Sequence, residues 1–263
     1  MSLLTHGSDL SLAPMVRPIV EQSGRSLKNA LTKLVKSGFT SVQLDATLSG
    51  IRPRELNVRA RKDLSALLTR NSMSLAGIDL FIPVAHFTDP QQVDRAMGAA
   101  LATIELAADL GRVPVSTALP VAELTNDVKS ALVEAADGHN VRLAIHAESD
   151  ATALANWLDE VDLPALGYGL DPAALITRNS NAVDAAHQRS ERLTVARLSD
   201  AESDSATRCV IGQGELDVLG YRIALDLAKR RQGPVVLDLR GLSDPASAAV
   251  SALKTWQDAA FSV

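Results

Sequence analysis

Between Ser26 and the C-terminus the chain repeats one pattern. A stretch with apolar residues three and four apart ends at a Gly or Asn, runs into a short β-rich segment, and leaves it through a polar loop. The first unit predicts a helix over Leu27–Lys36, with Ala30, Leu31, Leu34 and Val35 on one face and Ser26 as its N-cap, then a strand over Phe39–Leu44. Further helices are expected over Arg54–Arg70, Val93–Leu110, Val121–Ala136, Ala151–Glu160, Asn181–Arg189, Leu216–Lys229 and Ala246–Gln257. The strands between them fall at Leu75–Ile82, Val113–Thr117, Val141–Ala147, Leu166–Leu170, Leu193–Leu198 and Val235–Leu239. Alternation without a break in composition implies a parallel sheet in one domain covering residues 1–263. Seven or eight units of ~30 residues suit a (β/α)8 TIM-type barrel better than an open doubly wound sheet. No Gly-x-Gly-x-x-Gly follows the first strand, which argues against a dinucleotide fold. Leu10–Val16 is the candidate for the eighth strand. Because Pro14 is a poor strand residue, residues 1–25 are expected to be irregular and the first strand weak or missing.

Composition narrows the partners. Lys and Arg total 26 against 31 Asp and Glu, a net charge of −5, and the longest basic run is Lys229-Arg230-Arg231. A duplex-binding surface needs concentrated positive charge, so nucleic acid is not expected. No apolar stretch approaches the ~18 residues of a membrane span, and Met1–Ser11 has neither a basic start nor a long hydrophobic run. The single cysteine, Cys209, rules out an intramolecular disulfide framework and a Cys-rich zinc site, and it is expected to be inert rather than nucleophilic. The expectation is a soluble, cytoplasmic protein that does not engage a membrane; its oligomeric state does not follow from the sequence.

In a barrel, a site forms where strands end at the C-terminal face. Period-two alternation sorts the side chains that reach it. Ala144, His146 and Glu148 share one face; Gly167, Gly169 and Asp171 another; Val195, Arg197 and Ser199 a third; Val236, Asp238 and Arg240 a fourth. Gln43 groups with Asp45, and Asp79 with Gly77 and Phe81. The inward set then holds five carboxylates (Asp45, Asp79, Glu148, Asp171, Asp238), two arginines, one histidine and Gln43. Buried charges must be paired, metal-bound or neutralised, so this set has to reconcile itself internally. Taken singly, each residue has a plainer reading: Asp171 before Pro172 and Asp200 before Ala201 as helix N-caps, His146 as a hydrogen-bonded core histidine. The convergence of five strand ends favours a ligand site. His86 lies in the loop after the Leu75–Ile82 strand, where a barrel site could use it. Gly212-Gln213-Gly214 reads as a tight turn into the following helix, with anion binding there the minor alternative.

These residues resemble the xylose-isomerase-like barrels of the sugar phosphate isomerase and epimerase type. The likeness is carried by Ser37–Leu44, Val141–His146, Gly167–Leu175, Leu193–Asp200 with Ile211–Asp217, and Gly233–Asp238. The resemblance implies a divalent metal (Mn, Zn or Mg) held by Glu, Asp, His and Glu from four successive strands, the glutamates moving a proton beside a sugar carbonyl. Those positions fall here on His146, Asp171, Arg197 and Asp238, and the family's second-strand Glu falls on Gln43. Arginine has no lone pair to offer a metal and would repel one, while forming bidentate pairs with a neighbouring carboxylate.

Two readings follow. In one, no cofactor is expected: Arg197 neutralises the carboxylates, and the barrel is a metal-independent or non-catalytic ligand-binding protein. In the other it is an active isomerase or epimerase of a small sugar or sugar acid. There His146 and Asp238 exchange the proton, while Arg197, Arg240, Asp79 and Gln43 hold substrate. A shifted set of His146, Glu148 and Asp171 with Asp238 would take any metal. Both readings expect a small anionic or sugar-like ligand. A multi-zinc DNA-repair endonuclease on the same barrel would need more inward histidines than the chain supplies.

Overall fold

The structure, a computed structural model, describes residues 10–24, 26–204, 207–228 and 233–260. In chain order, β1 (Leu12–Pro14) leads into α1 (Val16–Ser23) and α2 (Leu27–Lys36), then β2 (Ser41–Asp45), α3 (Val58–Arg70), β3 (Ser74–Leu80), α4 (Val93–Asp109) and β4 (Val115–Ala118). The second half runs α5 (Asn126–Gly138), β5 (Leu143–His146), α6 (Ala151–Val161), β6 (Leu166–Leu170), α7 (Pro172–Ile176), α8 (Ala182–Gln188) and β7 (Leu193–Leu198). It ends with β8 (Asp200–Glu202), β9 (Thr207–Cys209), α9 (Val218–Asp226), β10 (Val235–Leu237) and α10 (Pro245–Asp258).

Eight strands pair in parallel in the order β1-β10-β7-β6-β5-β4-β3-β2, while β8 and β9 form a separate antiparallel hairpin. One parallel bridge, Met15 to Gln43, closes the ring between β1 and β2, helped by Ser41 Oγ donating to the Leu12 carbonyl at 3.3 Å. The fold is a (β/α)8 TIM barrel, as the alternation predicts.

The first strand is present and fully buried, and residues 16–23 are helical, so residues 10–24 are not irregular. Met15 N–H donates to the Leu237 carbonyl at 3.0 Å. Amides alternate sides along a strand, so the missing N–H of Pro14 faces the β2 side, where the seam carries a single bridge. The rest of the expected 1–25 segment, residues 1–9 and 25, lies outside the described residues, as does the predicted helix end at Lys229. Two helices begin later than the periodicity suggests. Asn57 caps α3 through Ala60 N–H, with residues 53–55 forming a separate 3-10 turn, and Thr125 caps α5 through Val128 N–H. In both, a local side-chain cap overrides the upstream apolar residues.

Two apolar regions hold the barrel. The larger lies between strands and helices and includes Ile78, Leu143, Leu237, Leu31 and Trp256. The smaller consists of Met15, Ala144, Val195 and Val236. Ala144, Val195 and Val236 each precede by two positions a residue of the polar set: His146, Arg197 and Asp238. Two residues along a strand is one step on the same face, so this apolar layer is the dry floor beneath the barrel mouth.

Candidate functional site

Strand register sets the polar layer. Asp79 on β3 pairs with Asp45 on β2 and Ser116 on β4, Ala118 with His146 on β5, and Val236 on β10 with Arg197 on β7. Gln43 Nε2 donates to Ser116 Oγ at 3.2 Å, and Ser116 Oγ donates to Asp79 Oδ1 at 2.7 Å. Arg197 then spans the barrel: Nη2 reaches Asp79 Oδ1 at 2.7 Å and Nη1 reaches Asp171 Oδ2 at 3.2 Å. Its carbonyl accepts from Tyr221 Oη at 2.9 Å, which fixes the backbone beneath the guanidinium.

Two more guanidiniums lie over this layer. Arg208, from β9, donates to Asp171 Oδ2 at 2.6 Å and to Asp238 Oδ2 at 3.0 Å. Arg240 is bidentate to Asp238, with Nε 2.9 Å from Oδ1 and Nη2 against Oδ2, and its plane stacks 4.6 Å from the centre of the half-exposed Phe81 ring. Asp171 is therefore shared among three arginines, its second oxygen accepting from Ser199 Oγ at 2.7 Å. It also caps α7 through Ala174 N–H, so the plain reading of this residue holds alongside the site reading.

His146 and Glu148 form a second unit. His146 Nδ1 lies 3.4 Å from Glu148 Oε1, and the same oxygen accepts from Asp171 N–H at 3.0 Å. The imidazole lies against Gly169, where a Cβ would stand 2.5 Å from Nε2, so only glycine fits beneath the ring. Four buried polar atoms in this layer have no hydrogen-bond partner: Gln43 Oε1, Asp79 Oδ2, His146 Nε2 and Arg197 Nε. Unsatisfied buried polar atoms are rare, and these four lie in one layer.

The structure thus brings together Gln43, Asp79, His146, Glu148, Asp171, Arg197, Asp238 and Arg240. Asp45 stands apart, held by Thr47 N–H at 2.7 Å and by Arg17 at 3.2 Å. Arg208, Ser116 and Arg17 are missing from the sequence-derived set. Nothing in a three-residue strand such as β9 signals an inward guanidinium. Asp200 caps no helix: its carboxylate accepts from Ala201, Gly212, Gly214 and Leu216 N–H at 2.9, 2.9, 3.0 and 2.9 Å. The anion held by the Gly212-Gln213-Gly214 turn is the chain's own Asp200. Burial, with Asp200 and Glu202 nearby, pushes the Cys209 thiol up to about 11, consistent with an inert cysteine.

Burial by itself would raise every carboxyl here. At Asp171 the charges of Arg208, Arg197 and Arg240 outweigh it and hold the group well below the usual range. Arg240 and Arg208 hold Asp238 down to about 2, and the His146 bond and charge depress Glu148. Asp45 goes the other way: burial and the neighbouring Asp79 outweigh its Thr47 and Arg17 partners. The three depressed groups stabilise the fold above their ordinary pKa, and that stability is lost as pH falls through their folded values. The Asp238 shift alone corresponds to roughly 2 kcal/mol at neutral pH. Urea unfolding midpoints should fall steadily below pH 4, and Asp45 should protonate before Asp238 in a carboxyl-carbon NMR titration. A midpoint constant from pH 5 to pH 2 would contradict the pairing.

Among the described residues, no three His, Cys, Asp or Glu side chains form a group that could hold a metal ion, and no helix is long and apolar enough to cross a membrane. The sequence matches no curated protein. Among solved structures it is similar to a D-tagatose 3-epimerase-like protein, with a TM-score of 0.74, 13% identity, and 95% of this chain and 97% of that one covered. It is also similar to 3-keto-D-glucoside 4-epimerase from E. coli, at 0.70 and 14%, with 95% and 100% covered. A xylose isomerase-like TIM-barrel protein from Mycobacterium smegmatis, solved in complex with magnesium, matches at 0.70 and 12%, with 96% and 97% covered. At these identities the likeness establishes the fold. The profile of the xylose isomerase-like TIM barrels matches residues 31–259, nearly the whole barrel, and the chain belongs to that family.

Proposed function

We propose that this chain is a metal-independent, ligand-binding member of the xylose isomerase-like barrels, with a small sugar-like ligand entering the mouth above Arg197. The observation that carries this is the Arg197 guanidinium, seated between Asp79 and Asp171 at 2.7 and 3.2 Å. A divalent ion at that place would meet a fixed positive charge with no lone pair, and the carboxylates it would need are already bound by three arginines. The donor set therefore does not fit a divalent ion, although a relative of the same fold was solved with magnesium.

The unpartnered atoms support a polyhydroxylated ligand. Gln43 Oε1 and Asp79 Oδ2 accept hydroxyl protons, while Arg197 Nε donates. Charge counting argues against an anionic ligand. Arg197, Arg208 and Arg240 are matched by Asp79, Asp171 and Asp238, which leaves Glu148 beside His146 and no surplus positive charge.

The His146–Glu148 pair favours a second reading, metal-independent isomerisation. Glu148 orients the imidazole through Nδ1, leaving Nε2 unpartnered and able to exchange a proton with a carbon beside a carbonyl. Asp238, held down at about 2 by two arginines, is too weak a base to share that work.

Elemental analysis of protein purified without chelators, followed by titration with Mn²⁺ and Zn²⁺, tests the proposal. The expected result is metal far below one equivalent and no thermal shift on addition. Near-stoichiometric metal would overturn it. Incubation with ketoses and aldoses in D₂O separates the two readings, since only proton transfer washes deuterium into the sugar.

A further inference from the structure

Arg208 is the outermost partner of the buried carboxylates, and it does not come from the barrel. It lies on β9, which among the described residues pairs with β8 alone, in a hairpin of three-residue strands. Isolated two-stranded hairpins of this length are marginal by themselves. β8 is anchored, through the four amides on Asp200 and through Ser203 N–H and Oγ donating to Glu215 at 2.8 and 2.6 Å. At the mouth, β9 contributes the Arg208 guanidinium, which reaches between two strands to place one nitrogen on Asp171 and the other on Asp238. Its side chain is 24% exposed, whereas the two carboxylates beneath it are 5% and 0% exposed.

Without that guanidinium, Asp79, Asp171 and Asp238 keep two guanidinium partners, Arg197 and Arg240, among the described residues, one positive charge fewer than their three carboxylates. Asp79 Oδ2 points the same way. It is buried, has no hydrogen-bond partner, and lies 4.0 Å from Arg240 Nη1, while Arg240 Nη2 lies 3.6 Å from Asp171 Oδ2. The half-exposed Phe81 ring, already stacked on Arg240, adds an aromatic face at the same opening.

We infer that Asp171 and Asp238 form a subsite for a planar guanidinium- or amidinium-bearing ligand, and that Arg208 of the same chain fills it as a displaceable stand-in. This rests on the reading that no metal occupies the mouth, and it names the charged end of the ligand that reading leaves open. Two carboxylates at the strand ends on either side of β7, each accepting from one nitrogen of a planar fork, match a guanidinium better than an ammonium or a sugar hydroxyl. A ligand of this class must displace Arg208, so wild-type affinity is reduced by the strength of the built-in contact.

Methylguanidinium chloride, titrated calorimetrically into the wild type, Arg208→Ala and the uncharged, shorter Arg208→Gln, tests the inference, with sodium chloride as the ionic-strength control. Arg208→Ala is expected to bind at least tenfold more tightly than wild type, Arg208→Gln to lie between them, and adding Asp238→Asn to either to abolish binding. Arg208→Gln serves alone if Arg208→Ala does not fold. Equal affinity in wild type and variants would place the binding elsewhere and overturn the subsite. So would the absence of methylguanidinium binding in the variants, or uptake of Mn²⁺ by the vacated position instead. The proposed function fails separately, on the metal content of the wild type.

Discussion

Replacing Arg197 by leucine is expected to destabilise the barrel by about 3–5 kcal/mol, because it strips two buried carboxylates of the charge between them. Asp79 and Asp171 are 1% and 5% exposed at the side chain, and neither can turn to water. Arg240 is the remaining cation near Asp79, at 4.0 Å, beyond hydrogen-bond reach. Leucine fills much of the volume, so the loss is electrostatic rather than a cavity. For a chain of this size, a loss of that order lowers the melting temperature by roughly 6–20 °C. Thermal unfolding followed by circular dichroism measures it. Adding Asp79→Asn and Asp171→Asn to the same variant should recover part of the loss, since amides tolerate burial without a counter-charge. If Arg197→Leu melts with the wild type and gains Mn²⁺ affinity, the guanidinium is an obstacle in a metal site and not its replacement.

Asp200→Ala is the second large effect, expected at about 3–5 kcal/mol from four amides that lose their acceptor together. Asp200 is 1% exposed, and Gly214 passes so close that a Cβ there would lie 2.4 Å from its Oδ1. Glycine at 214 and aspartate at 200 are thus one device, tying β8 to the loop that leads into α9. Asp200→Asn, which keeps one acceptor oxygen and turns the other into a donor facing N–H groups, should fall between wild type and alanine. Urea unfolding gives the energies. Amide exchange should accelerate at Gly212, Gly214 and Leu216, and unchanged exchange there would show that the loop holds without Asp200. Because β8 carries β9, the same variant should also loosen Arg208.

Much of this is legible in the sequence itself. Leu193–Leu198 and Leu166–Leu170 form strands at the bounds the apolar pattern predicts, because both are short β-rich runs between clear breaks. Alternation along Ala144-Ile145-His146 and Val236-Leu237-Asp238 identifies the inward side chains, since direction along a strand is a local property. Resemblance to the family aligned Arg197 with a ligand position, and its chemistry argued against a metal there.

Other features were not legible, each for a physical reason. Pro14 suggests a missing strand, yet its absent amide faces a seam where little pairing is needed. Val121–Leu124 carry helical periodicity, but Thr125 caps the helix after them. The partners of the two inward arginines do not follow from sequence distance: Arg240 is bound to Asp238, two residues away, while Arg197 is held by Asp79, 118 residues away.

Sequence alone determined the barrel and most of the polar side chains sent to its mouth, Arg208 and Ser116 excepted, because alternation, periodicity and side-chain direction act within a few residues. Only the tertiary structure decided how the charges are matched. Register places Asp79 beside Ser116, the curvature of the ring sets Arg197 across from Asp79, and the hairpin lowers Arg208 onto Asp171 and Asp238. A buried charge takes the partner nearest in space, and in a closed barrel that partner can come from any strand.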